Sequence, residues 1–243
     1  MQNKWDQKAH RYGRYTPEGN DLEPVICDLM ARMGVDFAGR TVVDIGCGTG
    51  IYTLRVARKA SRVDALDISG EMLKVLEEDI VRYGFDNVRT FHVGWEDFPL
   101  PPTRYDYALS TMSPATRDPE GFAKMDRSAR TKIFLGWGAK RGTVLLEELI
   151  AAHGSTYTPP NGAVRLREWL EREAIPYDLQ EYPEEKVRSR PLAKAMEAYT
   201  WHLQTRDLTP DPKRIEAILR KYMDEEGNVV ERVTNYFNLI VWR

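Results

Sequence analysis

Apolar positions recur along this chain with two periods, a helical one of three to four residues and a strand one of two or fewer, and the exchange between them lays out the elements. Leu22, Val25, Ile26, Leu29, Met30 and Met33 lie on one helical face, which predicts a helix over residues 21–34 that Gly34 stops. Upstream, Trp5, Ala9 and Tyr12 stand at i, i+4 and i+7 beside Lys4, Lys8, Arg11 and Arg14. They predict a short amphipathic helix over residues 2–15, either a segment packed on the domain edge or an aromatic lid over a pocket.

From residue 41 the pattern becomes strand, helix, strand. The first strand covers 41–45, and a helix beyond Gly50 carries Val56 and Ala57. A second strand runs from Arg62 to Asp67, with Ser69 as the N-cap of a helix bearing Met72, Leu73, Leu76, Ile80 and Tyr83 and closing at Gly84. Strands at 88–93 and 105–110 follow, then a helix over 118–130 (Phe122, Met125, Ala129), a strand over 132–137 and a helix over 142–153. Pro159 and Pro160 make the loop 154–161 the clearest break. Beyond it come helices at 163–173, around Leu192, Met196, Tyr199 and Leu203, and at 212–223, a strand at 177–182, and an alternating terminal strand over 233–242. Strand–helix alternation predicts a parallel sheet covered by helices.

Composition narrows the functional classes. The 243 residues are 42% hydrophobic and 30% charged, with a formal net charge of −2, so no basic excess favours nucleic acid. No window approaches the ~20 apolar residues of a membrane span. Cys27 and Cys47 offer neither a zinc spacing nor a disulfide framework. The expectation is a cytoplasmic protein without a metal site.

The most specific stretch is Asp44-Ile-Gly-Cys-Gly-Thr-Gly, an apolar strand ending in an acid and a turn of Gly46, Gly48 and Gly50. Such a turn brings backbone close to a bulky, nucleotide-like ligand. In the dinucleotide fingerprint the glycines fall at positions one, three and six; here they fall at one, three and five, with Ile51 sixth. The spacing resembles instead the first motif of class I S-adenosylmethionine-dependent methyltransferases. The likeness runs through about residues 35–140 and is nearest the small-molecule branch of ubiquinone and menaquinone methyltransferases, on Asp44-to-Gly50, Asp67-to-Met72 and Trp95-to-Leu100. It implies a Rossmann-like, doubly wound, seven-stranded, mainly parallel sheet with an antiparallel last strand and helices on both faces. The chain reads as a single domain: amino-terminal helices to 34, a cofactor-binding core over 35–153, substrate-side helical additions over 154–228 and the terminal strand over 229–243.

The resemblance implies S-adenosylmethionine as cofactor, S-adenosylhomocysteine as product, and a cofactor site made of Asp44, Gly46, Cys47, Gly48, Gly50, Asp67, Ile68, Trp95, Glu96, Asp97 and Ser110. Asp67 would accept from both ribose hydroxyls, because an ionised carboxylate offers paired acceptors to a vicinal diol. Asp44 and the backbone of Gly46 and Gly48 would face the methionine amino end, directly or through water or neighbouring amides. Many relatives carry an acid right after the third strand for the adenine amino group; Gly94 and Trp95 stand there, and Trp95 reads either as an adenine wall, with Glu96 or Asp97 as acceptor, or as packing in the sheet edge beside solvated carboxylates.

The loop after the fourth strand, Ser110-Thr-Met-Ser-Pro-Ala, lacks the Asn-Pro-Pro-Tyr type of motif that amino-nitrogen methyltransferases use on adenine or glutamine, and the chain has no Pro-Cys nucleophile. A small-molecule acceptor is expected, with RNA or protein methylation and turnover-free cofactor binding as the alternatives. Tyr12, Tyr15, Met112, Ser113 and Trp137 are the candidate pocket walls. His10, His153 and His202 are the candidate bases, each also readable as a solvated surface histidine. Tyr157, Trp169, Tyr199 and Trp201 read either as a substrate roof or as core or a homodimer surface. The basic run Lys186, Arg188, Arg190 and Lys194 reads as an anion site or a solvated face.

Overall fold

The computed structural model describes residues 5–19 and 22–243, the side chains of residues 11 and 139–142 excepted. Residues 2–4 of the first predicted helix, and Asp21 at the start of the second, fall outside the described residues.

The elements in order are α1 (Leu22–Arg32), β1 (Thr41–Ile45), α2 (Ile51–Ala57), β2 (Arg62–Asp67), α3 (Gly70–Tyr83), β3 (Val88–His92), β4 (Tyr105–Thr111), α4 (Pro119–Ser128), β5 (Ala129–Gly142), α5 (Val144–Ala152), α6 (Gly162–Arg172), β6 (Tyr177–Pro191), α7 (Leu192–Gln204), α8 (Pro212–Leu219) and β7 (Asn228–Trp242). The sheet order is β3-β2-β1-β4-β5-β7-β6. β1 pairs in parallel with β2 and β4, β2 with β3, and β4 with β5; the last strand is antiparallel. Because β1 has β2 on one side and β4 on the other, the order switches there. The loops leaving the carboxyl ends of β1 and β4 therefore diverge and leave a crevice.

The chain forms two compact units, one of residues 1–136, 162–181 and 238–243, the other of 137–161 and 182–237. The Pro159-Pro160 loop lies inside the second unit, and β5, β6 and β7 each give residues to both. In the first unit, Val42 to Ile45 of β1 are all buried, as expected of a strand covered on both faces. Val43, Ile45 and Leu66 of the sheet meet Phe122 and Met125 of α4 and Leu166 and Trp169 of α6. The second unit has its own core, where Leu149 and Ile150 of α5 join Tyr199 and Leu203 of α7 and Ile215 and Leu219 of α8.

Helix boundaries follow local chemistry. Ser69 Oγ accepts from the Met72 N–H at 3.2 Å, Asp118 Oδ1 from Gly121 at 2.8 Å, and Thr143 Oγ1 from Leu146 at 2.9 Å, each supplying an acceptor to a helix start that lacks one. Three elements depart most from the pattern. β5 runs 14 residues, Ala129–Gly142, where a strand over 132–137 was expected, so Ala129 opens the strand rather than ending the helix. The amino-terminal helix is a six-residue 3-10 turn, Asp6–Arg11. β6 runs 15 residues where six were expected, because its second half alternates charged rather than apolar side chains (Glu184, Lys186, Arg188, Arg190), which a hydropathy pattern does not register as a strand.

Three strands of the first unit are joined by one buried carboxylate. Asp64 on β2 accepts from Arg89 of β3 through Nε and Nη2, both at 2.8 Å, and from the Tyr105 hydroxyl of β4 at 2.6 Å. Arg89 reaches solvent, whereas the Tyr105 hydroxyl has no water to fall back on, so removing the carboxylate strands a buried donor. Asp64→Ala is expected to lower the unfolding free energy by about 1–3 kcal/mol in a urea titration. Adding Tyr105→Phe should recover part of that loss, because the orphaned hydroxyl goes with it; a double variant no more stable than the single one would contradict this account.

Candidate functional site

The site begins where β1 stops. After Ile45 the backbone turns through Gly46, Gly48 and Gly50, all with positive φ, into the amino end of α2. The glycines are required for different reasons. A Cβ at Gly46 would collide with the Ser113 hydroxyl, and one at Gly50 with the Leu76 side chain, so packing excludes both. At Gly48, with φ +56°, no protein atom lies within 4 Å of the Cβ position. There the left-handed backbone, not the protein's own packing, demands glycine, and the space in front is open cavity.

A carboxylate from the next strand holds this turn. Asp67, the last residue of β2, accepts from the Gly48 N–H through Oδ2 at 2.9 Å and from the Ser69 N–H through Oδ1 at 2.8 Å. Burial raises its pKa, opposed by these backbone donors. The Ile68 N–H favours its charged form as well, and because a carboxylate offers about four lone-pair sites, acceptor capacity remains beyond these three donors.

Turn and carboxylate form one wall of a cavity of about 840 Å³ in the first unit. Gly46, Cys47, Gly48, Asp67 and Ile68 line it from the β1 and β2 ends, Trp95 and Glu96 from beyond β3, and Met112 and Ser113 from beyond β4. Trp5 and Tyr12 line it from the amino-terminal segment, which is fastened at three points. Asp6 Oδ1 accepts from Ser69 Oγ at 2.6 Å, Thr49 Oγ1 donates to Gly13 O at 2.6 Å, and Arg14 pairs with Asp79 at 2.7 Å. The aromatic segment is thus both packed on the domain and part of the cavity wall.

Several expected residues sit elsewhere. Tyr15 is buried edge-on against Tyr83 and Phe85 rather than in the cavity, because its ring continues the apolar cluster of Leu73 and Leu76. Trp137 belongs to the second unit, 4.7 Å from the Phe237 ring. Ser110 is fully buried and its hydroxyl meets Thr116 at 2.8 Å, which binds the post-β4 loop to itself. Asp97 and Gly50 do not line the cavity.

Beyond β3, Trp95 is buried, stacked on Phe98, and donates through Nε1 to Gly121 O at 3.1 Å. It is at once core and cavity wall. Glu96 folds back so that its carboxylate lies within 3.0 Å of where a Cβ at Gly94 would stand. The Glu96 carboxylate thus takes up the space that a side chain at position 94 would need. Lys124 of α4 pins this loop, donating to the carbonyls of Trp95, Glu96 and Phe98 at 2.6, 2.9 and 2.7 Å. Lys124, Arg117 and Arg127 line the cavity and were missed in the sequence, although the 120, 124, 127 spacing opposite Phe122 and Met125 marks Lys124 and Arg127 as one face of α4.

Asp44 lies behind the turn, 1% exposed, and does not reach the cavity. Its Oδ2 accepts from Thr53 Oγ1 at 2.6 Å, while Oδ1 is buried without a hydrogen-bond partner. Burial pushes its pKa up to about 7, the Thr53 hydroxyl pulling the other way. Burial and the carboxylates of Asp44 and Asp67 raise the Cys47 thiol well above its ordinary value, so it is a neutral wall.

No histidine among the described residues lines this cavity. His153 is held at both ring nitrogens in the second unit, Nδ1 at 2.7 Å from Leu149 O and Nε2 at 3.2 Å from the Asp211 N–H, which makes it structural. His202 and Tyr199 line a separate, small cavity of that unit with Arg188 and Arg190. Lys186 and Lys194 pair with Glu184 and Glu197 at 2.8 and 3.1 Å. Trp169 is core in the first unit and Tyr199 core in the second; neither they nor Tyr157 and Trp201 roof the main cavity.

Comparison with known proteins agrees with this geometry. A protein family described as a methyltransferase domain matches residues 42–131. Over 83 residues the chain is 35% identical to demethylmenaquinone methyltransferase of Geobacillus stearothermophilus, covering 33% of this chain and 35% of that protein. It is 32% identical over 89 residues to magnesium-protoporphyrin O-methyltransferase of Rhodobacter capsulatus, covering 37% and 38% respectively. The match therefore spans well under two thirds of these relatives. The YcgJ protein of Bacillus subtilis superposes with a TM-score of 0.61 at 15% identity, over 89% of this chain and 97% of that one, a likeness of fold.

The Asp44 shift sets a stability prediction. Its pKa is raised from 3.8 to about 7, so between those values the folded protein keeps a proton that the unfolded chain has released, and stability falls as pH rises through that window. Asp44→Asn is expected to flatten the fall, removing a slope of up to about 1.4 kcal/mol per pH unit. Urea midpoints of both proteins from pH 4 to pH 8 measure it; parallel curves would mean that Asp44 titrates normally.

Proposed function

We propose that this chain is a class I S-adenosylmethionine-dependent methyltransferase, that the cavity in front of the Gly46-to-Gly50 turn binds S-adenosylmethionine and that the protein transfers its methyl group to a small-molecule acceptor. The observation that carries the reading is the open space before Gly48, walled by an Asp67 carboxylate with unused acceptor capacity and continued by Trp95 and Glu96. The residues fit the group at each end. Asp67 suits a ribose diol, because both of its oxygens face donors and keep lone pairs. Glu96, lying where a side chain at 94 would be, suits the exocyclic amine of adenine, and the Trp95 indole walls the base. Gly46, Cys47 and Gly48 form the wall for the methionine end, with Asp44 behind them as a positioning residue.

When bound, S-adenosylmethionine supplies a methyl group already activated as a sulfonium, so the protein's task is alignment and exclusion of water. Trp5, Tyr12, Met112 and Ser113 supply apolar and neutral wall around the transfer region. Met112 is held with φ +54° and donates its N–H to Leu135 O at 2.7 Å, which fixes the post-β4 loop in an unusual backbone shape at the cavity. No dedicated base is required by this reading, consistent with a cavity lined by no histidine among the described residues. Two free cysteines and the absence, among the described residues, of any helix long and apolar enough to cross a membrane support a cytoplasmic setting.

Calorimetric titration with S-adenosylmethionine and S-adenosylhomocysteine tests the proposal directly: saturable binding of both is expected, and no heat from either ends it. Asp67→Ala should weaken both by about 1–3 kcal/mol through lost charged hydrogen bonds. Unchanged affinity would put the ribose elsewhere. Gly48→Val, which meets no protein atom but demands a strained φ and projects into the cavity, should abolish cofactor binding while circular dichroism still reports a folded protein. A folded variant with normal affinity contradicts the placement.

A further inference from the structure

Two cations on the cavity have no partner ion among the described residues. Most of the other charged side chains there are committed. Asp67 and Asp118 accept from backbone N–H groups, and the Lys124 ammonium is enclosed by three carbonyls. Glu96 is the group assigned above to the adenine, and Glu120, exposed in the first turn of α4, sits where the helix amino end offsets a negative charge. Arg117 and Arg127 form no ion pair with any described residue. Both are exposed as well as cavity-lining, which places them at the rim. Arg127 follows Lys124 by three residues on the cavity face of α4, and Arg117 immediately precedes the N-cap Asp118, so both are carried by one rigid helix and its cap.

We propose that the methyl acceptor carries an anionic group, a carboxylate or a phosphate, and that Arg117 and Arg127 bind it at the cavity rim. This rests on the reading of the cavity as the methyl-donor site. A guanidinium presents a planar pair of donors that matches a carboxylate or phosphate, and two such cations at the rim favour an anionic group over a neutral one. The arginines thereby select the acceptor by charge and fix one end of it, leaving the remainder to enter toward Met112 and Ser113.

The test uses the intact protein saturated with S-adenosylhomocysteine and three matched probes of one shape, benzoate, phenyl phosphate and the neutral benzamide, titrated by ligand-observed NMR. At least one anion should bind fivefold or more tightly than benzamide, and which anion wins distinguishes carboxylate from phosphate. In the Arg117→Gln/Arg127→Gln variant that preference should drop below twofold, with the melting temperature and the S-adenosylhomocysteine affinity unchanged. Equal binding of the three probes, or binding of none, overturns the inference while the cofactor reading stands. A variant with weakened S-adenosylhomocysteine affinity also overturns it, because the arginines would then serve the cofactor. Failure of the wild-type protein to bind S-adenosylhomocysteine removes the cofactor reading itself.

Discussion

The bond from the Gly48 N–H to the Asp67 carboxylate, 2.9 Å long, is the constraint on which the site depends. It spans from the turn after β1 to the end of β2 and fixes two neighbouring strand ends in one geometry. A turn of three glycines is otherwise the most mobile connection the chain has, since glycine loses more conformational freedom on ordering than any other residue. Asp67 offsets that cost by accepting from the turn with one oxygen and from the Ser69 N–H with the other, so the same side chain organises the turn and the entry to α3. Because it makes these bonds at the surface of a cavity, it remains able to accept more.

Around this buckle the rest of the first unit acts as a series of fastenings. Gly46 and Gly50 admit the Ser113 hydroxyl and the Leu76 side chain, which close the turn from the β4 loop and from α3. Thr53 holds Asp44 from α2, at the cost of a buried carboxylate whose second oxygen has no donor. Burial of that group without full compensation is expensive in a folded protein, and a site where such expense persists is commonly one where function sets the residue. Lys124 plays the corresponding part at the other end, turning three carbonyls of the post-β3 loop toward one ammonium and so positioning Trp95 and Glu96.

The amino-terminal segment shows how a short element without its own core joins such a site. The 3-10 turn Asp6–Arg11 has too few residues to be stable alone. It is held by polar contacts to the start of α3, to the glycine turn and to Asp79, and through Tyr15 by an apolar anchor. Trp5 and Tyr12 are left facing the cavity. One aromatic is thus given to packing and two to the wall, a division that helical spacing alone does not make.

The sequence by itself determined the strand–helix order, the turn at Gly46 to Gly50 and the acid at Asp67, because these depend on short-range chemistry: hydropathy period, positive φ at glycine, and a side chain capping the next helix. Only the tertiary structure decided where the acid of the post-β3 loop lies, since the Glu96 carboxylate folds over Gly94. Likewise it placed Tyr15 and Trp137 in packing rather than in the cavity, and brought Arg117, Lys124 and Arg127 to it. Those outcomes turn on which faces of α4 and of the loops meet a neighbour, and a face is chosen by contacts between residues far apart in the chain, such as Lys124 with Trp95, that no local pattern carries.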